Sequence, residues 1–599
     1  MKGPWLPDRI SAGSALRKHT LFICLALFFL AFAVRTLTWQ DNKRDAWKVQ
    51  TYVTSGYKDS AHQLARGDFK TFVSDVNHLG HPPGYPILLA ALFKTVGDSN
   101  TAIQFIQTVC DSAAVVVLFL IAGELFQIGV AVLAGALAVL SPQFAYFSVL
   151  LLPDSLIVLP ILLAVYFIVR TRSKRGLVAF LIAGALIGLS CWLRANALFL
   201  APFLALLTPF FLPKGKRLPA GSAIVAGAIL IIAPITIKNA IVFRRFIPLS
   251  LGAGQTLLEG ISDYDEKGTL NIPNTDLGIM RQEAQWYGKP DYALLLFGED
   301  GIDRDRMRVA RGFAVIRSHP VWFAGVMGQR AIASTRLDPV PVLQPESPVS
   351  HKLDDSLVRS IWGQQPGEIT SAASERSPKA TFTVVDNQWL RIDADLANYG
   401  SQLTTSSINV NSFHDYVLKL PFKLESGRAA VKVLGAANNK VIATMMIDLV
   451  EGVQDQPVNE LAIPFVSANN SQVRVVIANN ASSGPTMLVG PMQLDELGPG
   501  SLTWLRFVRL PVGAAQRFFT TAWVLPFVVI GIVVLIRRRK LQELAILLAV
   551  PAYYLIVQSA LHTERRYVYI IHFFFLVLAS VSICWLAESL KGIRRRRVE

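Results

Sequence analysis

The chain is short of the features that soluble enzymes use most openly. It has only four cysteines in 599 residues, Cys24, Cys110, Cys191 and Cys584. Each lies inside an apolar run and none has a CxxC partner, which excludes a disulfide framework and a thiolate metal site. No HExxH stands anywhere in it. Charge is scarce as well: only 17% of residues are Asp, Glu, Lys or Arg. There is no internal repeat and no low-complexity tract. No small-residue cleavage site follows the first apolar run, Thr20 to Val34. The chain continues Arg35-Thr36-Leu37-Thr38-Trp39, so that run is expected to be an uncleaved membrane helix and not a signal peptide.

What the chain has in abundance is apolar sequence. Hydrophobic residues make up 52% and the mean hydropathy is +0.41. The excess sits in runs of about 17–25 residues, the length that crosses a bilayer as a helix. Spans are expected near 19–38, 101–126, 128–149, 155–170, 177–193, 196–212, 219–240, 520–536, 541–560 and 567–587. The formal charge of +16 belongs to topology and not to nucleic acid. Lys and Arg cluster at Lys2/Arg9/Arg17/Lys18, at Arg170 to Arg175, at Lys214/Lys216/Arg217, at Arg537 to Lys540 and at Arg594 to Arg597. With ten spans every cluster falls on one face, and short basic loops stay cytoplasmic. Both termini are therefore expected in the cytoplasm. The apolar but short run Gly84 to Val96 is expected to lie at the outer interface, because a crossing there would move the Arg170 cluster outside. The 319–335 stretch is kept from crossing on the same ground.

Three segments remain for the outer side: 39–100, 241–340 and 345–510. The third is poorer in apolar residues and richer in Ser, Asn, Pro and Gly. Tyr416-Val-Leu-Lys-Leu420, Ala430-Val-Lys-Val433 and Gln472-Val-Arg-Val-Val-Ile477 alternate with period two, as half-buried antiparallel strands do. About seven such strands over this length predict a β-sandwich. The expected architecture is an α-helical polytopic membrane protein of about ten spans with an inserted extracytoplasmic β-sandwich. Its parts are a membrane module at 1–340, the β domain at 345–510, and the last spans with a basic tail at 515–599.

Charged groups at the outer edge of a membrane must be solvated, paired or used. The first outer loop carries Asp41, Asp45, Asp59, Asp68, Asp75, His78 and His81 and ends in His81-Pro82-Pro83-Gly84-Tyr85-Pro86. The paired prolines stiffen an extended entry, and a rigid corner is the plain alternative to a site. Asp154, in Leu151-Leu-Pro-Asp154-Ser155, is held at the outer boundary; it also suits a helix N-cap. Arg194, in Cys191-Trp-Leu-Arg-Ala-Asn196, stands on the face where topology does not call for cations. It can snorkel to headgroups or clamp a phosphate with its planar fork. The last outer turn, His562-Thr-Glu564-Arg565-Arg566-Tyr567, puts two more arginines there. They suit headgroup attraction or the phosphate of an anionic lipid-linked donor, with Glu564 orienting one of them. Asp111, inside a span, pairs within the bundle or marks a polar path. One topology brings residues scattered along the chain to a single face. An acid plus several cations at a lipid boundary is the equipment for displacing a phosphate: the carboxylate takes a proton and the cations stabilise charge on the leaving group.

At these residues the chain resembles the GT-C glycosyltransferases, the group of the protein O-mannosyltransferases and lipid A aminoarabinose transferases. The resemblance rests on the acidic loop ending in HPPGYP, on 141–155, on LRANAL at 193–198, on HTERRY at 562–567, and on Pro234 to Asn239 running into Pro248 to Gly254. It covers about 19–335 and 515–590. It implies a polyprenyl-phosphate sugar donor, an outer-face active site and a catalytic Asp in the first loop. The family's Asp-x3-Tyr-x3-Ala-x5-Gly pattern is met by Tyr57, Ala61 and Gly67, but Val53 stands at the Asp position. Asp59 is therefore taken as the base, then Asp45 or Asp41, with Asp154 as a supporting acid. Arg194, Arg565, Arg566, His562, Glu564 and His81 are taken to hold the donor phosphate. The expected function is transfer of a sugar to a glycan, lipid or protein acceptor, in a bacterial inner or plasma membrane. The alternatives are a transporter or flippase of lipid-linked sugars, which would favour inverted repeats, and a non-catalytic scaffold. No cofactor is expected; a divalent metal has no motif behind it. The β domain either binds acceptor glycan or braces the outer loops.

Overall fold

A computed structural model describes residues 14–598 except 44, 45, 47, 173–175, 338, 352–358, 398, 450–456 and 481–483. Asp45 thus lies outside the described residues. The chain divides into two compact units: residues 1–343 with 512–599, and residues 344–511.

The first unit is helical. Among the described residues, five helices are long and apolar enough to cross a membrane: His19–Asn42, Asn100–Leu125, Lys214–Phe243, Leu541–Ser559 and Ile570–Leu590. Two bent pairs, Ile128–Leu140 with Pro142–Val149 and Thr503–Gln516 with Thr521–Arg537, raise the number to seven. A helix stands at each of the ten expected positions, but Val158–Thr171, Leu177–Leu193 and Leu200–Phe211 have only 14, 17 and 12 residues. Such helices fall at or below the lower end of the spanning range. Gly84–Val96 is a helix of 13 residues.

The break between Ile128–Leu140 and Pro142–Val149 has a local cause. Ser141 Oγ accepts from the amide of Phe144, and Pro142 occupies the first helical position, where its missing N–H costs nothing. The chain bends by 52° there. The end of Ile128–Leu140 leaves orphan carbonyls, and Arg35 from the first helix reaches those of Ala138 and Val139 at 3.4 and 3.5 Å. Asp111 balances that buried charge, accepting from Arg35 Nε at 2.5 Å. Of the two readings open for Asp111, pairing within the bundle is the observed one.

Between the seventh expected span and the β unit lies a small helical layer: Ala253–Ser262, Asp276–Tyr287, Gly301–Ser318 and Pro320–Ser334. It has its own core, Leu257, Leu258, Ile261, Ile272, Ile279 and Phe323. Pro320–Ser334 is not among the spanning candidates.

The second unit is a β-sandwich of one seven-stranded and one six-stranded sheet, antiparallel throughout among the described strands. The long strand His414–Ser426 organises the larger sheet, pairing with Asn459–Val466, Thr486–Val489 and Met492–Pro499. Its period-two pattern turns Tyr416, Leu418, Leu420, Phe422 and Leu424 inward. Val431, Val433, Val473, Val475 and Ile477 of the other sheet complete the core. The alternation seen at 416–420, 430–433 and 472–477 is therefore the alternation of a packed sheet.

Candidate active site

Four pieces of chain converge at one end of the helical unit. The first is the turn that follows Leu177–Leu193. Arg194 ends that helix in extended backbone and donates from Nη1 to Asp154 Oδ1 at 2.6 Å. Its guanidinium lies 4.1 Å from the centre of the Tyr567 ring. Burial works most strongly against that charge, and Asp154, Tyr567 and Tyr57 together outweigh it, so the guanidinium's pKa is raised.

The second piece holds Asp154. Residues 150–157 are not helical, and all of them are buried. The next helix begins at Val158, after Ile157 with no side-chain cap. Asp154 is therefore not the N-cap that its sequence suited. It is an internal counter-ion, its side chain only 3% exposed.

The third piece is His562 to Tyr567. Arg566 binds Glu564 with both fork nitrogens, at 2.7 and 2.9 Å, and lies 4.9 Å from the Tyr567 ring centre. Its Nη1 is 3.9 Å from Asp154 Oδ2. Both of those atoms are buried and have no hydrogen-bond partner among the described residues. Gln50 reaches Glu564 at 3.2 Å. Arg194 and Arg566 thus face Asp154 and Glu564, two charges of each sign.

The fourth piece is the end of the first loop. His81 stacks on Tyr57 with ring centres 4.7 Å apart, and Tyr57 meets Tyr85 edge-on at 5.0 Å. Dense protein around His81, and after it the guanidiniums of Arg194 and Arg566, push its pKa down. The ring opens onto a cavity, which tempers the first effect, and the two nearby cations set the direction. Gly84 explains part of the HPPGYP motif. A Cβ there would stand 2.5 Å from the backbone carbonyl oxygen of Trp192, so only glycine lets this corner lie against the turn that bears Arg194.

The cavity is about 330 Å³ and is lined by Asp59, Tyr57, Ser60, Asn77, His78 and His81, among others, with Phe72 and Phe297 as apolar walls. Tyr57 and His81 line this cavity and feel the charges of Arg194 and Arg566. Asp59 is exposed to it, in the helix Thr51–Ala65.

The remaining expected residues lie elsewhere or apart. His562 Nδ1 donates to Asp263 Oδ2 at 2.8 Å and so ties its turn to the helical layer; that bond, against some burial, raises its pKa. Gly260 packs directly under it, where a Cβ would come within 2.4 Å of the His562 amide nitrogen. Arg565 opens the short helix Arg565–Val568, half-buried, beside Arg566. Asp41 lies at the end of the first helix. Two participants were not singled out from sequence, Tyr57 as a wall and Tyr567 as a platform for both arginines. An aromatic next to paired arginines was the signal for the second. Among the described residues no three His, Cys, Asp or Glu side chains converge as a metal ligand set.

Residues 80–238 match the family model described as dolichyl-phosphate-mannose-protein mannosyltransferase. This match supports the GT-C glycosyltransferase resemblance. The matched stretch includes HPPGYP, Asp154 and Arg194. At a general level it supports a membrane glycosyltransferase that draws on polyprenyl-phosphate-linked sugar. No curated protein matches the chain. Among solved structures, a carbohydrate binding module from Cellvibrio mixtus lichenase 5A is 15% identical, covering 23% of this chain and 98% of that one, with a TM-score of 0.17. The CBM22-1 xylan-binding domain from Paenibacillus barcinonensis Xyn10C is also 15% identical, covering 23% and 95%, with a TM-score of 0.19. Likenesses at those scores say nothing of what this chain binds.

Proposed function

We infer that the protein transfers a sugar from a polyprenyl-phosphate carrier to a glycan, lipid or protein acceptor on the extracytoplasmic side of a bacterial inner or plasma membrane. The observation that carries this reading is the shared wall. Tyr57 and His81 line the cavity that Asp59 faces and lie within electrostatic reach of Arg194 and Arg566. One compartment suits a phosphate and the other a hydroxyl or amine acceptor with its sugar.

The chemistry is a displacement. The acceptor O–H or N–H attacks the anomeric carbon, and Asp59 takes the proton. The bond from that carbon to the phosphate oxygen breaks, and its electron pair leaves with the polyprenyl phosphate. Arg194 and Arg566 stabilise the charge that grows there, with the planar fork suited to phosphate oxygens. Asp154 and Glu564 hold the two forks in place. Arg566 Nη1, 3.9 Å from Asp154 Oδ2 and without a hydrogen bond among the described residues, is the donor an entering phosphate would find. A base that activates the acceptor on one face of the sugar, and cations that receive the phosphate leaving from the other, suit a single displacement with inversion at the anomeric carbon. The basic clusters on one face support cytoplasmic termini and an outer site.

The test is turnover in nanodiscs with a panel of lipid-linked sugars. The wild type should consume one of them. Asp59→Asn should lower kcat by roughly a hundredfold or more and leave donor affinity unchanged. Full activity of Asp59→Asn removes Asp59 from the mechanism. Consumption of no lipid-linked sugar by the wild type ends the reading.

A further inference from the structure

The backbone that carries Asp154 poses a problem of its own. Residues 150–157 run without helix through the interior of an apolar bundle. Buried backbone of that kind is tolerated only where protein groups satisfy its amides and carbonyls. The carbonyls just before Asp154 are satisfied by two glutamines of the helix Asn100–Leu125. Gln104 Nε2 donates to the carbonyl of Val149 at 2.8 Å. Gln107 Nε2 donates to those of Ser148 and Leu150, at 3.2 and 2.5 Å. Thr54 donates to the next, Leu151, at 3.3 Å.

Each carboxamide is itself held. The Trp39 indole donates to Gln104 Oε1 at 2.7 Å, and the Tyr85 hydroxyl donates to Gln107 Oε1 at 3.1 Å. An aromatic donor on the oxygen fixes which end of the amide faces the carbonyls. Gln104 and Gln107 are three residues apart, so they project from one helix face. They are 2% and 0% exposed, too deep for solvent to replace them. Glutamate in either place would offer acceptors to carbonyls, and leucine would offer nothing. The tyrosine is the one in HPPGYP, so this motif acts on Asp154 through Gln107, besides packing Gly84 beneath Arg194.

We propose that Gln104 and Gln107 are positioning residues that set the place of Asp154, and through it of the Arg194 fork, by fixing the backbone at 148–151, where the helix Pro142–Val149 gives way to the unwound residues. The proposal rests on the functional reading above for the roles of Asp154 and Arg194, and on the hydrogen bonds alone for the placement.

Two readouts separate those parts. Backbone hydrogen exchange of 148–157 reports placement without any substrate. Donor and acceptor kinetics report its use. In Gln107→Leu, exchange in 148–157 should rise while the β-sandwich unit stays unchanged. kcat/KM for the lipid-linked donor should fall by about a hundredfold, as misplacement of about an ångström does, while KM for the acceptor stays within about twofold. Tyr85→Phe leaves the glutamine in place and removes only its orienting bond. It should give the same pattern at about a tenth of the size, and it serves where Gln107→Leu does not fold. Unchanged exchange in both variants overturns the proposal, as does a rise in the acceptor KM as large as the fall in kcat/KM for the donor. If exchange rises but the wild type turns over no lipid-linked sugar, the placement stands and the functional reading fails.

Discussion

Two clusters in the helical unit are built from the same side chains and differ in what they leave open. In the helical layer, Arg304 and Arg308 share Glu283. Arg304 donates to Glu283 Oε2 from two nitrogens, at 3.1 and 2.7 Å, and to the carbonyls of Leu295 and Phe297. Arg308 takes both carboxylate oxygens at 2.7 and 2.6 Å. Both arginine side chains are 1% exposed. Burial works on the Glu283 carboxyl, yet the two arginines hold its pKa below the ordinary value. At the bundle end, Arg194 and Arg566 have a carboxylate each, aromatic faces beneath them, a 3.9 Å gap and a cavity next door. In the first, both Glu283 oxygens are taken and the cluster holds helices together, although Arg308 Nη1, like Arg566 Nη1, makes no hydrogen bond among the described residues. Under the proposed function the second exchanges a carboxylate contact for a ligand. Neither residue type nor an unbonded guanidinium nitrogen separates a clamp from a site; access to a cavity does.

The difference can be broken from either side. Glu283→Ala strands two buried guanidiniums, and loss of one partner from a buried ion pair costs about 3–5 kcal/mol. Thermal melting in detergent should show the helical unit severely destabilised. A stable variant would mean that the layer is not held by its charges. Arg566→Lys keeps the charge and discards the fork. Here turnover should fall roughly a hundredfold with melting nearly unchanged. A large melting shift at full turnover would make this cluster a clamp as well.

The smallest effect belongs to His562. Its bond to Asp263 raises its pKa in the folded state. The stabilisation it gives is present in full below the unfolded value of about 6.5, and it is lost as pH rises through the raised folded value. With side chains 32% and 25% exposed, screening keeps it under about 1 kcal/mol. Melting followed upward from pH 6 should show a small extra decline in the wild type that His562→Gln lacks. Identical slopes would mean the tie adds nothing.

How much of this was legible beforehand depends on the range over which each pattern acts. Strand alternation is local, so 414–426, 428–435 and 472–479 stood out as two-faced segments. Apolar length is local too, and every expected span has its helix, although several are too short to be counted as crossings by length alone. The charged motifs HPPGYP, LRANAL and HTERRY were visible as exceptions to topology. Their meeting at Asp154 and Arg566 follows from the topology that those exceptions violate. Asp154 was half-read: its acidity was seen, but Pro153-Asp154-Ser155 looks like a helix start, and the eight unwound residues had no local signature. Their support comes from Gln104 and Gln107, over 40 residues earlier, and a glutamine in an apolar helix does not announce its partner. Arg35 with Asp111 is the same case, a pair 76 residues apart. Glu283 with Arg304 and Arg308 could be read as a charged loop until its helices fold against each other.

The most direct test of the account is a structure in nanodiscs with a non-cleavable polyprenyl-phosphate sugar bound. The account predicts the phosphate against both Arg194 and Arg566, the bond from Arg566 to Glu564 loosened, and the sugar in the cavity beside Asp59 and His81. A phosphate bound elsewhere, with the contacts among Arg194, Asp154, Arg566 and Glu564 undisturbed, would contradict it.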